Sequence, residues 1–148
     1  MSSFWHPDFT FSDPAFPNLT GARAKAMFHM FITNRETSKM KVTITSPAAA
    51  VAGGPADTYS ASYNCDYLFG ESSVPVHNEI NCVIELKDGK VWKQSDDFHL
   101  GNWAKQSLGS VMRHTLGISG ILGMVVRKKA TERLDFWCKK HQQFHGKE

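Results

Sequence analysis

Between Val76 and Trp103 the chain reads VHNEINCVIELKDGKVWKQSDDFHLGNW, two alternating runs joined at Lys87-Asp88-Gly89 and followed by the start of a short helix. Alternation of period two over this length admits a half-buried antiparallel hairpin and little else. The loop length follows from sorting the faces. A two-residue Asp88-Gly89 turn sets Glu85 opposite Trp92 and Ile80 opposite Asp97, mixing polar and apolar groups on both faces. A three-residue loop, a type I turn with Gly89 left-handed in a bulge, separates them. Asn78, Ile80, Cys82, Ile84 and Leu86 then share a face with Trp92, Gln94, Asp96 and Phe98. The other face carries Glu79, Asn81, Glu85, Lys93, Ser95, Asp97 and His99. The longer loop is therefore expected. Since Asn78, Gln94 and Asp96 stand among hydrophobes, they must either satisfy one another or line a cavity that holds water or a ligand.

Upstream, Phe9, Phe11 and Asp13 alternate with Thr10 and Ser12, a short strand ending at Asp13-Pro14 with the Asp13 side chain on the phenylalanine face. Thr20 can cap a helix running to about Ile32, its stripe Ala24, Met27, Phe28 and Phe31, with His29 turned to the surface. Met40 to Thr45 alternates as a second strand, and Ser46 to Asp57, rich in small residues, proline and glycine, reads as a mobile hairpin tip. Thr58 to Phe69 alternates most cleanly of all and puts Tyr59, Tyr63 and Tyr67 on one apolar face, where each hydroxyl needs a partner. After the hairpin, helix material from Gly101 to about Leu108 precedes a loop punctuated by Gly117, Gly120 and Gly123. A closing helix from about Val126 to Phe144 carries the stripe Ala130, Leu134, Trp137, His141 and Phe144. Strands in meander order with helices before and after them indicate an α+β fold, a curved antiparallel sheet with helices on its concave side.

The 148 residues fit one domain, with a C-terminal helical extension from about residue 110. A net charge of +3, with only Arg127-Lys128-Lys129 clustered, is too thin a footprint for nucleic acid. Three cysteines, Cys65, Cys82 and Cys138, form no disulfide framework and indicate reduced thiols. The most apolar stretch, Ile118 to Val126, is too short to span a bilayer, and no signal peptide is visible, so a soluble cytoplasmic protein with no membrane or nucleic-acid partner is expected.

Two segments together, FSDPAFPNLTGARAKAMFHMF and VHNEINCVIELKDGKVWKQSDDFHLGNWAKQSLG, resemble the SnoaL-like branch of the nuclear transport factor 2-like superfamily. The match runs from Trp5 to Gly109; its best-marked pieces are Asp13-Pro14, Asp88-Gly89-Lys90, and Asp96-x-Phe98 leading to Trp103 and Gln106-Ser107-Leu108-Gly109. The resemblance implies a cone-shaped fold that hosts ketosteroid isomerases, polyketide cyclases, limonene epoxide hydrolase and non-catalytic modules alike. Asp13 falls where ketosteroid isomerases place their catalytic base, and Asp96 where SnoaL-type cyclases place theirs. Departures accompany it. The isomerases' tyrosine comes from a helix upstream of the Asp-Pro strand, where this chain has a dozen residues. Their protonated aspartic acid maps near Asn81 or Cys82, and Gln94 stands where many SnoaL-like sequences carry histidine. The family's opening helices have no counterpart, so the long C-terminal helix or a partner subunit is expected to cover the sheet they normally hide.

Each candidate admits two roles. Asp13 is either a general base at a cavity mouth or the cap of the turn before the helix. Asp96 stands in mid-strand, where a capping role is unavailable. If the two carboxylates approach, one should hold a proton at neutral pH. Gln94 and Asn78 either orient a ligand carbonyl or satisfy neighbours; Trp92, Phe98 and Tyr63 are core that doubles as cavity wall; Trp103 packs a helix or touches a ligand. Cys138, His141 and His145 share one side of the last helix, but one helix alone rarely closes a metal site, and no metal or other cofactor is expected. The leading expectation is a cofactor-independent acid/base enzyme, an isomerase or cyclase in type, acting on a small hydrophobic carbonyl compound as a homodimer. Asp13, Asp96 and Gln94 would form its catalytic set; Tyr63, Asn78, Trp92, Phe98 and Trp103 would contact the ligand. A ligand-binding or dimerisation module without chemistry is the alternative, and an epoxide hydrolase a further one.

Overall fold

The computed structural model describes residues 3–33, 39–69, 73–107 and 119–141. Its elements, in chain order, are β1 (Trp5–Ser12), β2 (Leu19–Thr20), α1 (Gly21–Thr33), β3 (Lys41–Ala50), β4 (Thr58–Phe69), β5 (Val74–Lys87), β6 (Lys90–Asp97), α2 (Leu100–Ser107) and α3 (Ser119–Lys140). Among the described residues the strands form one six-stranded sheet in the order β2-β1-β6-β5-β4-β3. The fold is α+β, with one departure from antiparallel pairing. β1 lies parallel to β6, with Phe11 beside Gln94 and Ser12 beside Ser95. That departure matters for the site, because it carries Asp13 to the flank of Asp96.

The β5–β6 hairpin separates its faces by another device than a long loop. Lys87 pairs with Lys90 across a two-residue Asp88-Gly89 turn, with φ of 52° and 69° at its two residues. Two positive φ values define the I′ turn, whose twist matches the strands it joins. The mismatch this turn creates is removed one step later. Leu86 pairs with Val91 but Glu85 pairs with Lys93, so Trp92 is an extra residue bulged out of β6. Beyond the bulge, Ile84 opposes Gln94 and Cys82 opposes Asp96, the expected inward set.

Elsewhere, β3 runs on to Ala50 with two register shifts, so most of the segment expected to be a hairpin tip is strand. Pro47, which has no N–H for a ladder, lies within the shifted part. Gly120 and Gly123 belong to α3 rather than to a loop; Gly117 and Phe144 lie outside the described residues.

Two apolar clusters hold the helices to the sheet. In the first, Phe9, Phe11, Phe16 and Leu19 meet Ala24, Met27 and Met30 of α1 and Leu134 and Cys138 of α3. Phe28 and Phe31 are only half-buried against it, and Trp5, Phe9 and Phe28 stack within it. In the second, Cys65, Tyr67, Val76 and Ile80 meet Phe98 and Trp103. The long C-terminal helix thus packs on α1, with Arg23 and Asp135 paired at 2.7 Å. The same contact corrects the surface position expected of His29. Its ring packs 5.3 Å from His141, and its Nδ1 accepts from Trp137 Nε1 at 3.3 Å. An amphipathic stripe describes one partner, and α1 has two. No helix among the described residues is long and apolar enough to cross a membrane.

Candidate active site

Asp96 is the best-connected polar group on the helix-covered face. It is 8% exposed, and Tyr63 Oη donates to its Oδ2 at 2.5 Å. Gln94 Nε2 reaches both carboxylate oxygens, at 3.1 and 3.2 Å. Cys82 lies directly opposite it on β5. Tyr63 and Cys82 keep their protons: burial, then the Asp96 charge, push the Tyr63 hydroxyl and the Cys82 thiol well above their ordinary ranges. Burial likewise lifts Cys65 to about 11.

Asp13 is placed differently. Its Oδ1 accepts from the backbone N–H groups of Ala15 at 2.7 Å and Phe16 at 2.5 Å, so the turn-capping role is real. Among the described residues Oδ2 takes no donor. Burial raises the carboxyl from 3.8 to about 6; the Phe16 and Ala15 amides pull the other way, and the Asp96 charge adds to the rise. The turn is tied from outside as well, since Arg127 Nε donates to the Pro14 carbonyl at 3.1 Å. Arg127 of α3 therefore braces the loop that carries Asp13.

The remaining candidates divide. Asn78 is buried opposite Cys65, and among the described residues its amide makes no hydrogen bond. Phe98 and Trp103 pack in the second cluster. Trp103 Nε1 donates to Tyr67 Oη at 2.7 Å, and its ring meets Phe69 edge-on. Trp92 departs from the expectation of a cavity wall. As the bulged residue it lies under Lys93 Nζ, 4.1 Å from the ring centroid, with Lys87 Nζ at 5.4 Å. Lys93 in turn pairs with Glu85 on the wet face, at 3.1 Å. Among the described residues no group of three or more His, Cys, Asp or Glu side chains could hold a metal ion, and His145 lies outside them. Sequence reasoning passed over Tyr67 and Cys82 as site residues. Parity had put both on the inner face, but the contacts that single them out are long-range.

No family model matches the sequence, and no curated protein matches it. Solved structures do. A protein from Jannaschia sp. CCS1 assigned as a SnoaL-like polyketide cyclase is similar over 74% of this chain and 76% of its own, at 11% identity and a TM-score of 0.59. A ketosteroid isomerase-like protein from Catenulispora acidiphila, in complex with trimethylamine, is similar over 73% and 79%, at 18% identity and a TM-score of 0.54. The chain has the nuclear transport factor 2-like fold. An LEH-like epoxide hydrolase from M. tuberculosis also shares it, over 78% of this chain and 80% of that one, at 16% identity and a TM-score of 0.54. Within the nuclear transport factor 2-like fold, then, this chain sets two unequal carboxylates side by side. One is saturated with donors, and the other has an oxygen to spare.

Proposed function

We propose that the chain is an acid/base enzyme of the isomerase or cyclase type, acting on a small hydrophobic carbonyl compound, with Asp13 as the group that moves the proton. The observation that supports this reading is the Asp13 carboxyl, raised to about 6 by burial beside a second carboxylate. A base near the working pH is ionised often enough to act and still basic enough to accept a proton. Asp96 serves as the fixed anion. Tyr63 and Gln94 hold it in place, and its charge keeps Asp13 basic. The aromatic side chains of both clusters supply apolar walls for the rest of the molecule.

A second reading, a binding or dimerisation module without chemistry, is favoured by one observation: the two backbone amides on Asp13 give that residue a structural reason to exist. Proton exchange separates the two. In D2O, a panel of hydrophobic ketones followed by NMR should lose hydrogen beside the carbonyl when the wild-type protein is present and not with Asp13→Asn. Equal exchange by both proteins removes Asp13 from the mechanism, and opening of an epoxide panel in the absence of ketone exchange favours the hydrolase alternative.

A further inference from the structure

The sheet ends on one side in β2, two residues long, and on the other in β3, ten residues long. Every residue of β3 is exposed. Among the described residues no strand pairs with its outer edge, so a row of backbone N–H and C=O groups faces solvent there. Two large apolar side chains accompany that row. Val42, 55% exposed, and Ile44, 69% exposed, stand beside Cys65 and Tyr63 of β4 on the inner face. Lys41 and Thr43 stand beside Asp66 and Asn64 on the other face. The pairing of β3 with β4 is regular from Lys41 to Ile44 and shifts twice beyond it, around Ser46. Pro47, with no N–H to offer a neighbour, lies in the shifted part. The edge thus offers Lys41 to Thr45 to a new strand, and little beyond.

What strand fits is set by the order of those five residues, Lys-Val-Thr-Ile-Thr. Laid antiparallel to its own copy about a two-fold axis at Thr43, the segment sets Val42 opposite Ile44 of the partner, twice. Thr43 then meets Thr43, and each Lys41 faces a Thr45. Apolar meets apolar on the inner face and hydroxyl meets hydroxyl on the outer, pairs that stabilise a ladder. No like charges are opposed, and each Lys41 keeps Asp66 of its own chain on its other side. A slip of one residue would set Val42 against Thr43 and spoil both faces. We propose that the Lys41–Thr45 edge of β3 is the contact through which two copies of this chain pair, joining their sheets into one. The inner apolar face then runs unbroken from Tyr63 through Ile44 to Val42 and Cys65 of the partner. Since the edge at β2 is only two residues long, each chain has one usable edge, and pairing consumes both. The assembly therefore closes as a dimer instead of growing into a fibre. Five residues a side is well under the roughly 20–30 of a standard interface, so the dimer is reversible, with a dissociation constant of about 10⁻⁴ M.

Sedimentation velocity tests this over a concentration range. The wild type should pass from mostly monomer at about 10 µM to mostly dimer at about 1 mM, on either side of that constant. Ile44→Lys changes a side chain that is exposed in the single chain and should leave the fold intact. It should weaken association at least about tenfold, since it removes both Val42–Ile44 contacts and sets two ammonium groups in the seam. Thr43→Cys reads the register. Opposed Cα atoms in an antiparallel ladder lie about 4.5–5.5 Å apart, within reach of a disulfide, so mild oxidation should give a covalent dimer. Lys41→Cys, whose two copies would lie about 13 Å apart along the seam, should not. Nor should the wild type, whose three cysteines are buried. A wild type still monomeric at about 1 mM, a dimer that Ile44→Lys leaves intact, or equal cross-linking of Thr43→Cys and Lys41→Cys overturns the proposal. A dimer that cross-links through Val83→Cys, exposed on the outer face of β5, and not through Thr43→Cys puts the contact on that face and equally rejects the edge.

Discussion

Asp13→Asn is expected to slow proton transfer by roughly 10²–10⁴-fold, the usual contribution of a positioned base, and at the same time to make the protein more stable near neutral pH. Both effects come from one carboxyl. Its affinity for a proton is higher folded than unfolded, about 6 against an ordinary 3.8. The folded state thus favours the neutral acid. That preference contributes stability in full below about pH 4 and is lost as pH rises through about 6. Above pH 6 the wild type carries a charge its surroundings disfavour, at a cost on the order of 2–3 kcal/mol. Asparagine keeps an oxygen for the Ala15 and Phe16 amides and carries no charge. Denaturant melts of the two proteins at pH 5 and pH 8 should therefore diverge at pH 8, with the variant the more stable. The companion measurement is the pH profile of kcat/KM for a ketone found by the exchange assay. It should rise to a plateau across about pH 6 in wild type; a profile flat between pH 4 and pH 8 would dissociate Asp13 from the chemistry.

Phe9→Ala should give the largest loss of stability of any conservative truncation in β1. Phe9 is fully buried, stacks 5.3 Å from Trp5 and meets Phe28 of α1, so its removal opens a hole between β1 and α1. The cost of such a cavity is about 3–5 kcal/mol. For a chain of this length that lowers Tm by roughly 10 °C. Phe136→Ala, a truncation of a side chain that is 68% exposed on α3, is the matched control and should shift Tm by no more than about 2 °C. A loss at Phe9 no larger than at Phe136 would mean that the first cluster does not carry the fold.

Alternation within strands made the inner face of the sheet readable residue by residue. Asp13, Tyr63, Asn78, Gln94 and Asp96 all lie where parity put them. What alternation cannot report is which strands are neighbours. Asp13 and Asp96 are 83 positions apart in sequence, and they meet only because β1 lies parallel to β6. The Tyr67–Trp103 bond likewise spans 36 residues and joins a strand to a helix that follows it two strands later. The turn at Asp88-Gly89 illustrates a different limit. A clean separation of polar from apolar faces is equally well produced by a longer loop or by a short loop with a bulge. Side-chain pattern alone fixes the parity difference between the strands but not where the odd residue sits. Trp92 was assigned inward for that reason, and the bulge turned it to the lysines.

That odd residue gives β6 an asymmetric tolerance to changes in length. Because Trp92 has no partner on β5, its deletion would let Lys93 follow Val91 directly and keep its place opposite Glu85, leaving Gln94 and Asp96 aimed as they are. One residue inserted between Lys93 and Asp96 has no such reserve to draw on and would rotate the carboxylate to the solvent side. Shortened and lengthened versions of the hairpin, compared by the proton-exchange assay, should therefore behave unequally: the strand can give up a residue here but cannot take one in.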